Sequence, residues 1–376
     1  MPLASDFVLT DPLTRQQHGR EITVNYTEQS IFNPLMGSSN DAIIKTELIE
    51  NSMNASLATM HMRGLVRGAG VEGNTDFDAN MDSLEYLSQD VAYEVIGNAI
   101  PSKDRRIESK SAADNFRNDA KDGLSDWMRD ISDRTIITRL SQDCTNIVAC
   151  NAATGFDATN VTAAIASGDI FNTQAIDEAK RRATTGVDGA GARHPRMRPY
   201  MLKVSENNGI PVYEKFYVMM AATNAVTALR EDPIWREEQK YAAERGITHN
   251  FFTGQLGIHN GVIIIDGGTW TEEYAGIADS GVAAYRGASS MAGYVGTAGN
   301  KTEINLFLGA TAGLLPMDEG FNYYEEDYDM KRKMKIAVDR GWAFQKTRYM
   351  GKTAAQQALA WHNKDYGVIA VVSSIA

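Results

Sequence analysis

Apolar residues recur at steps of three and four along residues 108–142, the strongest periodic signal in the chain. Ala113, Phe116, Ala120, Leu124, Trp127 and Ile131 mark one face of a helix. Ser111, with Asp114 three residues on, is a partial capping signal at its start. Fully helical, the segment would run about 50 Å at about 1.5 Å per residue, longer than a typical globular helix. Gly123 costs it about 1 kcal/mol against alanine, too little to break it.

The flanking segments read differently. Residues 1–62 are polar and weakly periodic, interrupted at Asn33-Pro34 and by Gly37-Ser38-Ser39-Asn40. A helix is expected from Asp41 to Met62, with Ile44, Leu48, Met53 and Leu57 near helical spacing; the segment as a whole lacks a core-forming pattern and is an arm expected to find its partner on another subunit. Ser83 to Ile96 mixes β-branched and aromatic residues and alternates from Val91 to Val95, the pattern of a strand. Gly64-Leu65-Val66-Arg67 is its expected hairpin partner, with Gly68 to Asn80 as a long tip. A two-stranded loop of this kind must lie on something to be stable.

Beyond the long helix, Thr173 to Thr185 reads as a short helix. Tyr200 to Val204 and Val212 to Met219 flank Asn207-Asn208-Gly209, a hairpin signal. Asp232-Pro233 is an N-cap followed by proline at the first helical position, with the helix expected to run to Arg245 and Gly246 closing it. Gly261 to Ile265 and Tyr366 to Val372 read as buried strands, and Gly267 to Asn300 as surface loop. The pattern as a whole is α+β.

Composition narrows the class. A hydrophobic content of 43% and a charged content of 23% over 376 residues suit a globular chain with a real core. The net charge of -11 argues against nucleic-acid binding, which needs a surplus of Lys and Arg to neutralise phosphate. The opening residues Met1 to Asp6 carry neither a basic nor an apolar region, so no signal peptide is expected, and no apolar stretch is long enough for a bilayer. Cys144 and Cys150 alone fit a reducing compartment.

Several motifs imitate chemistry and fail on context. Gly68-Ala69-Gly70-Val71-Glu72-Gly73 matches a dinucleotide fingerprint, but Asn74 to Asp78 cannot open the helix that would face a pyrophosphate. Gly351-Lys352-Thr353 ends like a P-loop, yet Lys346 stands where its first glycine belongs. Asp76-x-Asp78-x-Asn80 starts like a calcium loop, but Met81 and Leu87 occupy the glycine and glutamate positions. The two cysteines lack zinc partners, and the six histidines stand beside no nucleophile motif. Tyr323 to Asp329 packs four acids together; a solvated or interface face explains it better than an acid/base centre. No catalytic, cofactor or metal residue is assigned.

Five segments, in order, resemble the major capsid protein family named after coliphage N-four, whose members have the Hong Kong 97-type fold of tailed phages. They are Gly68 to Leu84; Phe116-Arg117, Ala120, Leu124 and Trp127 with Asp133; Phe216 to Met219 followed by Trp235, Gln239 and Ala242; Phe252 to Val262; and Asp365 to Val371. The likeness spans roughly residues 60–376, is most specific over Phe252 to Val262, and is weaker over 145–195 and 267–300. It implies an N-terminal arm (1–62), an extended hairpin loop (63–107), a spine helix (108–144), an axial domain (145–315), and a return to the peripheral domain with a closing strand (316–376). It also implies hexamers and pentamers of an icosahedral virion shell enclosing double-stranded DNA without sequence-specific binding, with portal and scaffolding proteins as partners and room for a decoration or cement protein. No membrane is involved. Some relatives cross-link through a lysine in the loop; residues 64–102 contain none, so that chemistry is not expected.

Charge suggests how copies would meet. Glu72, Asp76, Asp78, Asp82, Glu85, Asp90 and Glu94 form an acidic stretch without Lys or Arg, while residues 331–352 carry Lys331, Arg332, Lys333, Lys335, Arg340, Lys346, Arg348 and Lys352 against one acid. The loop of one subunit is expected to rest on the basic surface of its neighbour, with apolar burial supplying most of the affinity. Two readings compete: an encapsulin-type nanocompartment shell, and a cytoplasmic hydrolase built on the Tyr323 to Asp329 cluster.

Overall fold

A computed structural model describes residues 20–22, 30–49, 57–63, 71, 73, 86–102, 113–157, 165–207, 210–242, 255–268, 302–318, 320–330 and 333–375. The long apolar periodicity becomes helix α1 (Ala113–Ser141), and two seven-stranded sheets share it. The first runs β1 (Met36–Gly37), β2 (Ile44–Ile49), β12 (Gly313–Asp318), β14 (Lys333–Trp342), β13 (Asn322–Tyr328). In it β5 (Glu94–Pro101) also pairs with β14, and β15 (Gln345–Lys346) with β12. The second runs β6 (Ile147–Ala149), β16 (Val368–Ser374), β11 (Thr302–Leu308), β8 (Ile210–Ala221), β10 (Val262–Asp266), β9 (Gln255–His259), with β7 (Tyr200–Asn207) on β8. A separate hairpin joins β3 (Leu57–Arg63) to β4 (Tyr86–Ala92).

The α1 stripe explains the layering. Leu124, Met128, Ile136, Ile137 and Leu140 are completely buried and pack in one cluster with residues of both sheets: Ile336 and Val338 from the first, Leu306, Leu308 and Val372 from the second. Burying a side chain of that size stabilises by about 1.5–3 kcal/mol relative to exposure, so this one face is a principal source of cohesion. Strands β8, β10 and β16 of the second sheet bury apolar residues on both faces. On β16, Val368, Ala370 and Val372 face the α1 cluster, while Ile369 and Val371 face a second cluster with helices α2 (Thr173–Thr185) and α3 (Thr223–Glu231). That two-sided burial is why Val368 to Val372 reads as a continuous apolar run.

Local signals account for the element ends. Asn172 caps α2 by accepting from the Ala175 amide at 2.9 Å, and Gly186 closes it in the left-handed conformation. Pro233 opens α4 (Pro233–Ala242), and the Asp232 carboxylate accepts from the Ile234 amide at 2.9 Å. Its other oxygen accepts from the Thr173 amide and hydroxyl at 2.9 and 2.8 Å, so one side chain serves the starts of two helices. The expected hairpin around Asn207-Asn208-Gly209 is β7–β8, and the expected strand at residues 261–265 is β10.

The N-terminal expectation needs correction. Asp41 to Met62 is not a helix: Ile44 to Ile49 is a strand lying parallel to β12, from Ile44↔Gly313 to Ile49↔Asp318, and Leu57 to Arg63 is β3. Ile43, Ile44, Thr46 and Ile49 are β-branched, and that preference outweighs an apparent i, i+4 pattern once a sheet partner is available. Nor are the described residues of 1–62 left without a core of their own, since Ile22, Phe32, Leu35, Ile43 and Ile44 are all buried in the α1 cluster. The hairpin partner is also displaced. Leu57 to Arg63, one segment earlier than expected, pairs with Tyr86 to Ala92, while residues 64–67 lie outside the described residues. The sequence boundary at residue 315 falls inside β12, and the closing strand β16 belongs to the second sheet.

Candidate assembly surface

The hairpin β3–β4 lies on its own body through an apolar underside. Met60, Met62, Leu87 and Val91 are buried with Leu314, Tyr349 and Tyr366. Polar contacts fix the angle. Gln89 is buried in β4 and acts as a piece of backbone: its Nε2 donates to the Lys346 carbonyl at 3.0 Å, and its Oε1 accepts from the Arg348 amide at 3.0 Å. Both bonds mimic strand pairing between β4 and the stretch from the end of β15 to Arg348.

Tyr93, between β4 and β5, is the second fixed point. Its hydroxyl donates to Asp318 Oδ1, while Asp318 Oδ2 accepts from the Gly341 amide at 2.8 Å. Burial, then the Asp318 carboxylate, pushes the Tyr93 phenol above its ordinary value, so it remains a donor. Gly341 makes room for this: a Cβ there would overlap the Tyr93 hydroxyl and ring. Motif reasoning does not find Gln89 or Tyr93, because their partners Lys346, Arg348 and Asp318 lie more than 200 residues away in sequence, nor the Asp318–Gly341 bond that completes the contact.

The predicted contact residues separate into groups. Asp90 and Glu94 are exposed at the hairpin base, and Asp90 accepts from the Thr59 hydroxyl at 2.6 Å. Glu72, Asp76, Asp78, Asp82, Glu85, Lys331 and Arg332 lie outside the described residues. Lys333 and Lys335 stand on the outer side of β14 and are answered within the chain, by Asp329 at 3.2 Å and Glu326 at 2.6 Å. Such exposed pairs are worth about 0–1 kcal/mol each.

Two other bases of the stretch, Arg340 and Lys346, serve the interior, and Arg348 reaches into it from the surface. Arg340 is buried; its Nη2 donates to the Asp318 carbonyl at 2.7 Å, with the guanidinium over the Phe321 ring. Lys346 donates to the Gln142 carbonyl at 2.6 Å and pairs with the buried Asp365 at 3.1 Å, while Arg348 reaches the same carboxylate at 3.6 Å. Asp365 in turn accepts from the Thr145 amide at 2.7 Å, locking the end of α1 to the segment before β16. The basic surface expected from residues 331–352 is therefore smaller than its charge count: Arg340 and Lys346 are structural.

The acids of β13 and the two thiols are arranged for structure rather than chemistry. Tyr323 to Tyr328 alternate along β13, with Tyr323 buried and Glu326 bridged to Lys335, so the acids do not converge. Cys144 and Cys150 are buried and unbridged, and burial pushes the Cys150 thiol up, away from reactivity. Among the described residues no three His, Cys, Asp or Glu side chains gather as metal ligands, and no helix is long and apolar enough to cross a membrane.

Comparison with known proteins places this architecture. The family model described as phage capsid protein matches residues 7–376. The major structural protein ORF14 of Helicobacter pylori bacteriophage KHP30 is 25% identical over 338 residues, 84% of this chain and 83% of that protein. The acidic stable capsid structure of the same phage superposes with a TM-score of 0.70 at 22% identity, covering 92% of this chain and 91% of that one. The capsid of Ralstonia phage GP4 gives a TM-score of 0.68 at 17% identity, over 92% and 91% of the two chains. With its two sheets braced by one long helix and a hairpin set against the body, the chain belongs to the phage capsid protein family: it has the Hong Kong 97-type fold and is a structural protein of the virion head, not an enzyme.

Proposed function

We propose that copies of this head-shell protein associate as hexamers and pentamers around packaged double-stranded DNA, with β3–β4 as the base of an extended loop that reaches a neighbouring subunit. In this reading α1 is the spine helix, the first sheet forms the peripheral domain and the second sheet the axial domain. The observation that carries it is the hairpin itself: its underside is closed on its own chain while Asp90 and Glu94 face outward. Portal and scaffolding proteins are the partners this reading proposes for such a head, with a decoration protein as a further candidate.

The charged contact is assigned to the loop acids, Glu72 through Glu94, against Lys331, Arg332 and Lys333 of a neighbour. Lys333, Lys335 and Arg348 have acidic partners within their own chain, so their contribution is smaller than that of Lys331 and Arg332. Exchanging Lys331, Arg332 and Lys333 for Glu should lower particle yield and shift its salt dependence, because exposed charge pairs steer docking and are screened within about 10 Å at 0.1 M salt. Identical yields across a salt series would remove this contact. Heads purified from infected cells and boiled in detergent should be dominated by this chain, running as a monomer; a minor band, or covalent ladders, would contradict the assignment.

A further inference from the structure

We propose that the free edge of β5 is an interface element at which an extended segment of a second copy of this chain adds as a strand. The inference rests on the shell reading, which supplies the second copy, and goes beyond it by naming the backbone groups that pair.

Register shows which groups those are. β5 runs antiparallel to β14, with Pro101↔Lys335 and Glu94↔Trp342 at its ends. The Ser102 amide donates to the Met334 carbonyl at 2.7 Å, so the even-numbered residues of β5 turn their N–H and C=O toward β14. Val95, Gly97 and Ala99 therefore turn theirs the other way. Among the described residues β5 pairs with no other strand, and Val95 is 68% exposed. The Ala99 amide already shows the need: it donates to its neighbour's side chain, Asn98 Oδ1, at 2.8 Å. That is a local placeholder which an incoming carbonyl can displace.

Charge distinguishes this edge from its alternative. The opposite edge, on the other side of β14, is β13, whose Glu325 and Asp327 would repel another copy of a chain with a net charge of -11. Acidic side chains along an edge are how sheets avoid pairing with one another. From Val95 to Pro101 there is no charged residue. An uncharged, exposed edge of that length is an open template for strand addition, and in a protein whose function is self-association a second copy is the partner that fits. Main-chain pairing also needs no side-chain match, so the same edge can serve pentamers and hexamers alike.

The test uses hydrogen exchange resolved to single amides in intact particles, together with Ala99→Pro. Proline at residue 99 removes an outward N–H while leaving the β14 ladder intact. In particles, the Val95, Gly97 and Ala99 amides should exchange as slowly as those of Ile96, Asn98 and Ile100, and in unassembled subunits much faster. Ala99→Pro should keep the subunit's melting temperature and lower particle yield about tenfold, the equivalent of about 1.4 kcal/mol per contact. Fast exchange of the three outward amides in closed particles overturns the proposal and leaves the shell reading standing. Ala99→Pro particles at wild-type yield do the same. A protein that forms no particles at all defeats the shell reading first.

Discussion

The Ser30 hydroxyl donates to Asp133 Oδ1 at 2.6 Å across 103 residues of chain, pinning the N-terminal segment to the middle of α1. Asp133 is completely buried, and among the described residues its Oδ2 has no hydrogen-bond partner. Burial pushes its carboxyl up to about 7, against smaller opposing contributions from Ser30, the Ile31 amide and the nearby Arg129, with Asp130 adding to the rise.

A pH dependence follows from this group. The folded carboxyl holds its proton to about pH 7, whereas the unfolded one releases it near its ordinary 3.8. Its contribution to stability is therefore greatest below about pH 4 and declines as pH rises toward about 7, by about 1.4 kcal/mol for each pH unit crossed. Asp133→Asn should flatten this part of the melting-temperature profile. Parallel profiles for the two proteins would show that Asp133 does not titrate there.

Gln89→Ala should lower subunit stability by about 1–3 kcal/mol, since it leaves the Lys346 carbonyl and Arg348 amide without their partner. Chemical denaturation measures the loss. Hydrogen exchange should show the β3–β4 hairpin opening before α1; an unchanged hairpin would mean that its apolar underside alone holds it.

At Gly341, alanine forces Tyr93 off Asp318, and overpacking of this kind costs about 1–3 kcal/mol. Adding Tyr93→Ala should cost less in the Gly341→Ala background than alone, a coupling that a double-mutant cycle reads directly. Strict additivity would mean that the two side chains do not compete for that space.

Leu124→Ala should destabilise by about 2–5 kcal/mol, because Leu124 is completely buried where α1 meets the core. Asp126, on the exposed side of the same helix and 58% accessible, should tolerate alanine within about 0.5 kcal/mol. Equal losses at the two positions would mean that α1 does not bury the face its periodicity marks.

Much of this fold was legible because its signals are local. The α1 stripe, the Asp232-Pro233 start and the Asn207-Asn208-Gly209 turn each need only neighbouring residues to be read. What escaped depends on distant partners. Six residues from Ile44 to Ile49 cannot separate a period of two from one of 3.6, and their strand partner β12 lies more than 260 residues away. For the same reason Arg340 and Lys346 read as surface charge, although Asp318 and Asp365 draw them inside. The acids at the hairpin base were legible as exposed; the neutralisation of Lys333 and Lys335 by Asp329 and Glu326 was not, since the Lys335–Glu326 pair requires the register of β13 on β14.

Electron microscopy of the purified protein at high concentration is the decisive experiment for self-association. Closed shells built from five- and six-membered clusters of this chain are the expected result. A monodisperse solution of single compact molecules, with no shells under any salt condition or with head extracts added, would contradict it.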